Sequence, residues 1–178
     1  MTGKNLISYL LTGLISGVLC WSGAYFLPET SLALKVFPGI IFGLALFLCG
    51  VWARAIPKSR RVWAGLLLLV FTIAGWRLPV ELVAHLGDSF RYVFAGAIGS
   101  FVVALGLLAA WEAPRNRVVF VILVTLSGTL GGLIFQLIPV GTFDINDKLK
   151  TLFLLVEWQT IVMLGVGFAR TATVFATR

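Results

Sequence analysis

Short polar breaks cut this chain into six long apolar runs, at 5–27, 36–53, 62–76, 90–111, 118–138 and 151–169. A helix rises 1.5 Å per residue, so about 20 mostly apolar residues cross a hydrocarbon core roughly 30 Å thick. The expected fold is therefore all-α: a polytopic transmembrane helix bundle of about six helices, with residues 1–178 as one transmembrane domain. Composition agrees. The chain is 60% hydrophobic and 12% charged, whereas soluble domains carry about 25% charged residues. A water-soluble fold of 178 residues could not hide so much apolar surface.

The breaks set the boundaries and the orientation. Pro28-Glu29-Thr30-Ser31 ends the first run, Arg54, Pro57 and Lys58-Ser59-Arg60-Arg61 the second, and Arg77 with Pro79 the third. Glu112-Ala113-Pro114-Arg115-Asn116-Arg117 follows the fourth, Pro139 and Gly141 the fifth, and Arg170 the sixth. Lys and Arg accumulate in cytoplasmic loops. With the N-terminus inside, Lys4, Arg54, Lys58, Arg60, Arg61, Arg115, Arg117, Arg170 and Arg178 are internal. Lys35, Arg77, Arg91, Lys148 and Lys150 are external. Of the acids only Glu112 is internal, while Glu29, Glu81, Asp88, Asp144 and Asp147 are external. Both termini are thus expected in the cytoplasm, at the inner membrane of a bacterial cell. The net charge of +7 reads as topology signalling and contact with anionic lipid headgroups, and no nucleic-acid partner is expected.

Lys4, the apolar stretch and Ser22-Gly23-Ala24 have the outline of a secretory signal; a retained first helix is expected instead. Trp52, Trp63 and Trp111 fall at inner helix ends and Trp76 at an outer end, as headgroup-level belts do. Trp21 and Trp158 lie deeper and read as packing residues. Cys20 and Cys49 have no metal-ligand or disulfide spacing and read as small buried residues.

Small residues form stripes: Gly13, Gly17, Cys20 and Ala24 in the first run, Gly39, Gly43 and Gly50 in the second, and Gly96, Gly99, Gly106 and Ala110 in the fourth. Gly128 and Gly132 mark the fifth and Gly165 the sixth. In lipid, helices associate through close backbone packing and polar contacts. The stripes therefore predict either a tight intramolecular bundle or a homo-oligomeric face. The segment 11–17 faintly echoes 94–100, which would suit an inverted repeat, but 126–132 fits as well, so the echo reads as generic glycine-rich composition.

Ionisable groups within a span are costly and tend to mark function. Glu157, in the sixth run, is the clearest. Gln136 lies on the Gly128–Gly132 face of the fifth run, and the two could meet in the outer half as a ligand site or an interhelical hydrogen bond. Gln159 is near but projects elsewhere. The third run is short, and either ends there or continues past Pro79 as a kinked helix; short or proline-broken segments point to binding sites in transporters. Past it, Arg77, Glu81, His85 and Asp88 recur at helical spacing, as a ligand-binding cluster or as ion pairs on a surface helix with Arg91; a metal site is not expected. The loop 141–148 reads as a polar turn capping the sixth helix rather than a calcium loop.

No GxSxG, HExxH or phosphate-cradling loop is present, so neither an enzyme nor a cofactor is expected. The remaining classes are a small-solute transporter, or the membrane-embedded substrate-binding subunit of one, and a non-catalytic subunit, channel or effector working with protein partners or with copies of itself. In length and helix count the chain resembles the substrate-binding subunits of energy-coupling-factor vitamin transporters. The resemblance is one of architecture and transfers no residues.

Overall fold

The computed structural model describes residues 3–26, 32–83, 90–112, 114–137 and 147–175. It is all-helical: α1 (Gly3–Phe26), α2 (Leu32–Trp52), α3 (Arg61–Val83), α4 (Arg91–Ala110), α5 (Arg117–Leu137) and α6 (Asp147–Phe175). All six helices are long and apolar enough to cross a membrane. Each packs antiparallel on its neighbours in the chain, and α1 closes the ring against α6. Gly3 and Phe175 therefore lie at the same end, here the terminal end; the opposite end, where α3 stops and α4 starts, is the distal end.

Leu46, Leu68, Val103, Leu107, Val124, Val162, Met163 and Val166 fill the interior of the ring. The outer surface carries equally large apolar side chains, among them Leu48, Val70, Leu126 and Leu130. A soluble protein rarely leaves such a surface uncovered; a bundle surrounded by lipid does.

The glycine stripes face other helices of the same chain. A Cβ at Gly13 would lie 2.6 Å from Thr160 Cα, and one at Gly17 2.5 Å from Val156 Cα, so α1 and α6 meet backbone to backbone. Gly39 does the same to Ile73 on α3, with 2.6 Å to its Cα. Gly96 and Gly128 each meet the other's carbonyl across α4 and α5. Ser100, fully buried beside them, lies within hydrogen-bond reach of Gly96 O (2.6 Å) and of Thr125 O on α5 (3.1 Å). Of the two uses expected for these stripes, the structure displays the intramolecular one.

The third helix is longer than the apolar run 62–76 and takes the second course open to it, on past Pro79. It runs 23 residues through Arg77 and the buried Pro79, about 34 Å at helical rise. A proline inside a helix removes the donor to the carbonyl four residues back. Here that carbonyl is Gly75 O, and it faces Gly99 of α4 so closely that a Cβ there would lie 2.7 Å away. Neighbouring helices are what make such prolines tolerable in membranes.

The terminal end is stitched by backbone and arginine. After α2 the chain turns at Arg54, with φ 53°. Arg54 N donates to Val51 O (3.2 Å) and Ala55 N to Gly50 O (2.7 Å). This is the helix-ending pattern that usually takes glycine at the left-handed position. Ala55 and Ile56 then bury against the core, and Glu112 N donates to Ala55 O (2.7 Å). Arg170 of α6 donates to Tyr9 Oη on α1 (3.4 Å) and to Ala53 O at the end of α2 (3.2 Å). Its guanidinium sits 5.7 Å from the Trp111 ring centroid. Trp111 is consequently not a belt residue, as its position in the sequence suggested, but a buried cap under Arg170; Trp52 and Trp63 remain exposed.

Candidate functional site

In the distal half, Trp158 of α6 occupies the inside of the ring. It packs on Phe42 of α2 with ring centroids 5.8 Å apart. It also lies so near α4 and α5 that a Cβ at Gly99 would come within 3.2 Å of its Cζ2, and one at Gly131 within 3.2 Å of its Cδ1. The small residues of α4 and α5 thus make room for an indole. Its Nε1 is buried and donates to nothing among the described residues.

Beside this indole is a cavity of about 320 Å³, lined by Trp76, Pro79 and Val83 of α3, Tyr92 and Ala95 of α4, Gly132 of α5, and Leu154 and Trp158 of α6, with Arg91 among its lining. Tyr92 is held edge-on against Phe135, 4.7 Å between centroids. An apolar, aromatic hollow with few polar groups is the usual form of a small-molecule site.

Glu157 precedes Trp158 and points into the α5–α6 interface, where its Oε1 would lie 3.5 Å from a Cβ at Gly131. Both carboxylate oxygens are buried and accept no hydrogen bond among the described residues. A polar group left so in an apolar interior is costly. Gln136, half-buried on the same face of α5 as Gly132, does not donate to Glu157: the two lie on the adjoining helices the sequence indicated, without the hydrogen bond.

Arg77 and Glu81 pair with each other one turn apart. Glu81 is well exposed, and neither residue lines the cavity; their neighbours Trp76, Pro79 and Val80 do. His85 and Asp88 lie outside the described residues, as do positions 141–146 of the segment before α6. No group of three or more metal-ligating side chains occurs among the described residues.

Two features escaped the sequence reading. Gln159 is 1% exposed, and its Nε2 donates to Cys20 Sγ on α1 (3.2 Å), which itself contacts Pro38 O on α2 (3.5 Å). It does project away from Glu157, as expected, but into a polar contact joining three helices. Trp158 was legible as deep and packed; its unpartnered Nε1 was not, because apolar periodicity is blind to where a ring nitrogen ends up. No protein-family model, curated protein or solved structure matches the chain.

Proposed function

We propose that this chain is a small-solute transporter, or the membrane-embedded substrate-binding subunit of one, with its site in the distal half around Glu157, Trp158 and the aromatic cavity. The observation that carries this reading is the Glu157 carboxylate, within a membrane-crossing helix, with both oxygens buried and unpartnered among the described residues. A lone carboxylate charge in such surroundings is costly and tends to be functional. The group calls for a proton, a cation or a cationic part of a solute. Trp76, Trp158 and Tyr92 supply flat apolar faces for the rest of that solute.

The charge pattern supports an orientation with the terminal end, rich in arginine and lysine at 54–61 and 115–117, in the cytoplasm of a bacterial cell. The distal cavity is then nearer the outer surface. One observation favours a second reading, a non-catalytic subunit that docks a partner's helix. A hollow of about 550 Å³ between α1 and α2 opens along Leu11, Ile15, Leu44 and Leu48, whose side chains are partly or well exposed.

The test is purification of the full chain in mild detergent, followed by native mass spectrometry of what elutes with it. The expected result is a bound small molecule that is lost in Glu157→Gln and in Ala95→Phe, which fills the cavity without touching the carboxylate. A stoichiometric protein partner, no small molecule, and a Glu157→Gln variant identical to the parent would replace this reading with the subunit one.

A further inference from the structure

We infer that the terminal end carries a second binding site, for an oxyanion of the phosphate class, held by Arg170 and Arg115. A pocket of about 310 Å³ opens there between α4, α5 and α6, lined by Trp111, Glu112, Arg115, Phe120, Arg170 and Thr173 among others. It is separate from the distal cavity and shares no residue with it.

The first argument is charge. Arg170 is half-buried, and its acceptors among the described residues are both neutral: a phenol oxygen and a backbone carbonyl. A guanidinium has five N–H donors in a fixed fork, so these two contacts leave donors free. Arg115 adds a second guanidinium to the lining, without a carboxylate partner among the described residues. The second argument is the helix that starts here. Asn116 caps α5, its Oδ1 accepting from Val119 N (3.1 Å), and the first turn of α5 carries no acid. The amino end of a 21-residue helix presents partial positive charge to the pocket wall formed by 114, 115 and 120. Thr173 spends its hydroxyl hydrogen on Ala169 O (2.8 Å), so the arginines are the donors. Against them stands one carboxylate, Glu112, exposed at the rim.

Two arginines and a helix terminus match a phosphate group, which takes parallel N–H donors from a guanidinium. The phosphate comes either from a lipid headgroup at the adjoining membrane surface or from a soluble ion. The Trp111 ring under Arg170 keeps that guanidinium in place for either.

The experiment uses the full chain in a nonionic detergent and follows its thermal unfolding midpoint. One arm titrates inorganic phosphate at constant ionic strength; the other adds phosphatidylglycerol to the micelles, with phosphatidylcholine as the neutral control. The expected result is a saturable rise in midpoint with at least one probe. Response to phosphate alone identifies a soluble oxyanion, and response to phosphatidylglycerol only identifies a headgroup. Arg115→Gln, at an exposed position, should keep the unliganded midpoint and bind the active probe roughly tenfold more weakly. Glu112→Gln should bind it several-fold more tightly, and does not depend on how Arg115→Gln folds. No saturable response to either probe, or binding unchanged in both variants, overturns the site.

Discussion

The two ends of the bundle use polar groups in opposite ways. At the terminal end Arg170 reaches three elements, Ala55 joins the α2 turn to the end of α4, and Asn116 caps α5. In the distal half Glu157 and the Trp158 indole nitrogen are buried with no partner among the described residues; Trp158 lines a hollow, while Glu157 faces Gly131 in the α5–α6 interface and is not part of that lining. Buried polar groups are nearly always satisfied, and exceptions call for a reason. The comparison teaches that polarity alone does not mark function within a membrane bundle. A polar side chain whose contacts join several elements, as those of Arg170 do, holds helices together even where it keeps donors to spare; one buried with no contact at all has only something else to take. The terminal end contains its own exception in Trp111 Nε1, which is also unpartnered and packs against Gly50.

The largest stability loss should come from the terminal clasp. Arg170→Ala removes two hydrogen bonds from a charged donor and a cation–π contact, about 3 kcal/mol together. Unfolding in mixed micelles should show a clearly lowered midpoint, and a variant as stable as the parent would break the contrast. Next is Gly99→Ala, which puts a methyl 2.7 Å from Gly75 O and 3.2 Å from the Trp158 ring. Overpacking of this kind costs about 1–3 kcal/mol, and it should also disturb the cavity, so midpoint and ligand retention fall together. Glu157→Gln should change stability by less than about 1 kcal/mol, in line with measured polar contacts in membrane bundles, while solute binding is lost. The smallest effect is Arg77→Ala, because the pair with Glu81 is exposed and worth about 0.5 kcal/mol or less. Binding should survive it; loss of binding would extend the site onto the outer face of α3.

Much of this arrangement is written in the runs of apolar residues. Six helices, their order and most of their ends follow from run length and from breaks such as Lys58–Arg61 and Pro114. Where the reading falls short, tertiary packing decides. Whether α3 ended near Trp76 or ran on past Pro79 was open in the sequence; Gly99 of α4 packs over the carbonyl that the proline frees, and the helix runs on. Trp111 looked like a membrane-belt residue, yet the α2 turn and Arg170 enclose it. Glu157 was identifiable because a carboxylate in an apolar run is conspicuous by itself. Its isolation was not, since whether Gln136 bonds to it depends on rotations about two helix axes that periodicity does not fix. The cavity was equally hidden, because it is made by the spaces between four helices rather than by any residue type.

The most direct test compares Glu157→Gln with the parent in two readings on the same purified sample: thermal midpoint and small-molecule content by native mass spectrometry. A functional carboxylate predicts an unchanged midpoint and an empty site. A variant that fails to accumulate or unfolds many degrees earlier, or one that keeps the parent's bound molecule, would show that Glu157 serves the fold or nothing at all, and the distal site would have to be abandoned.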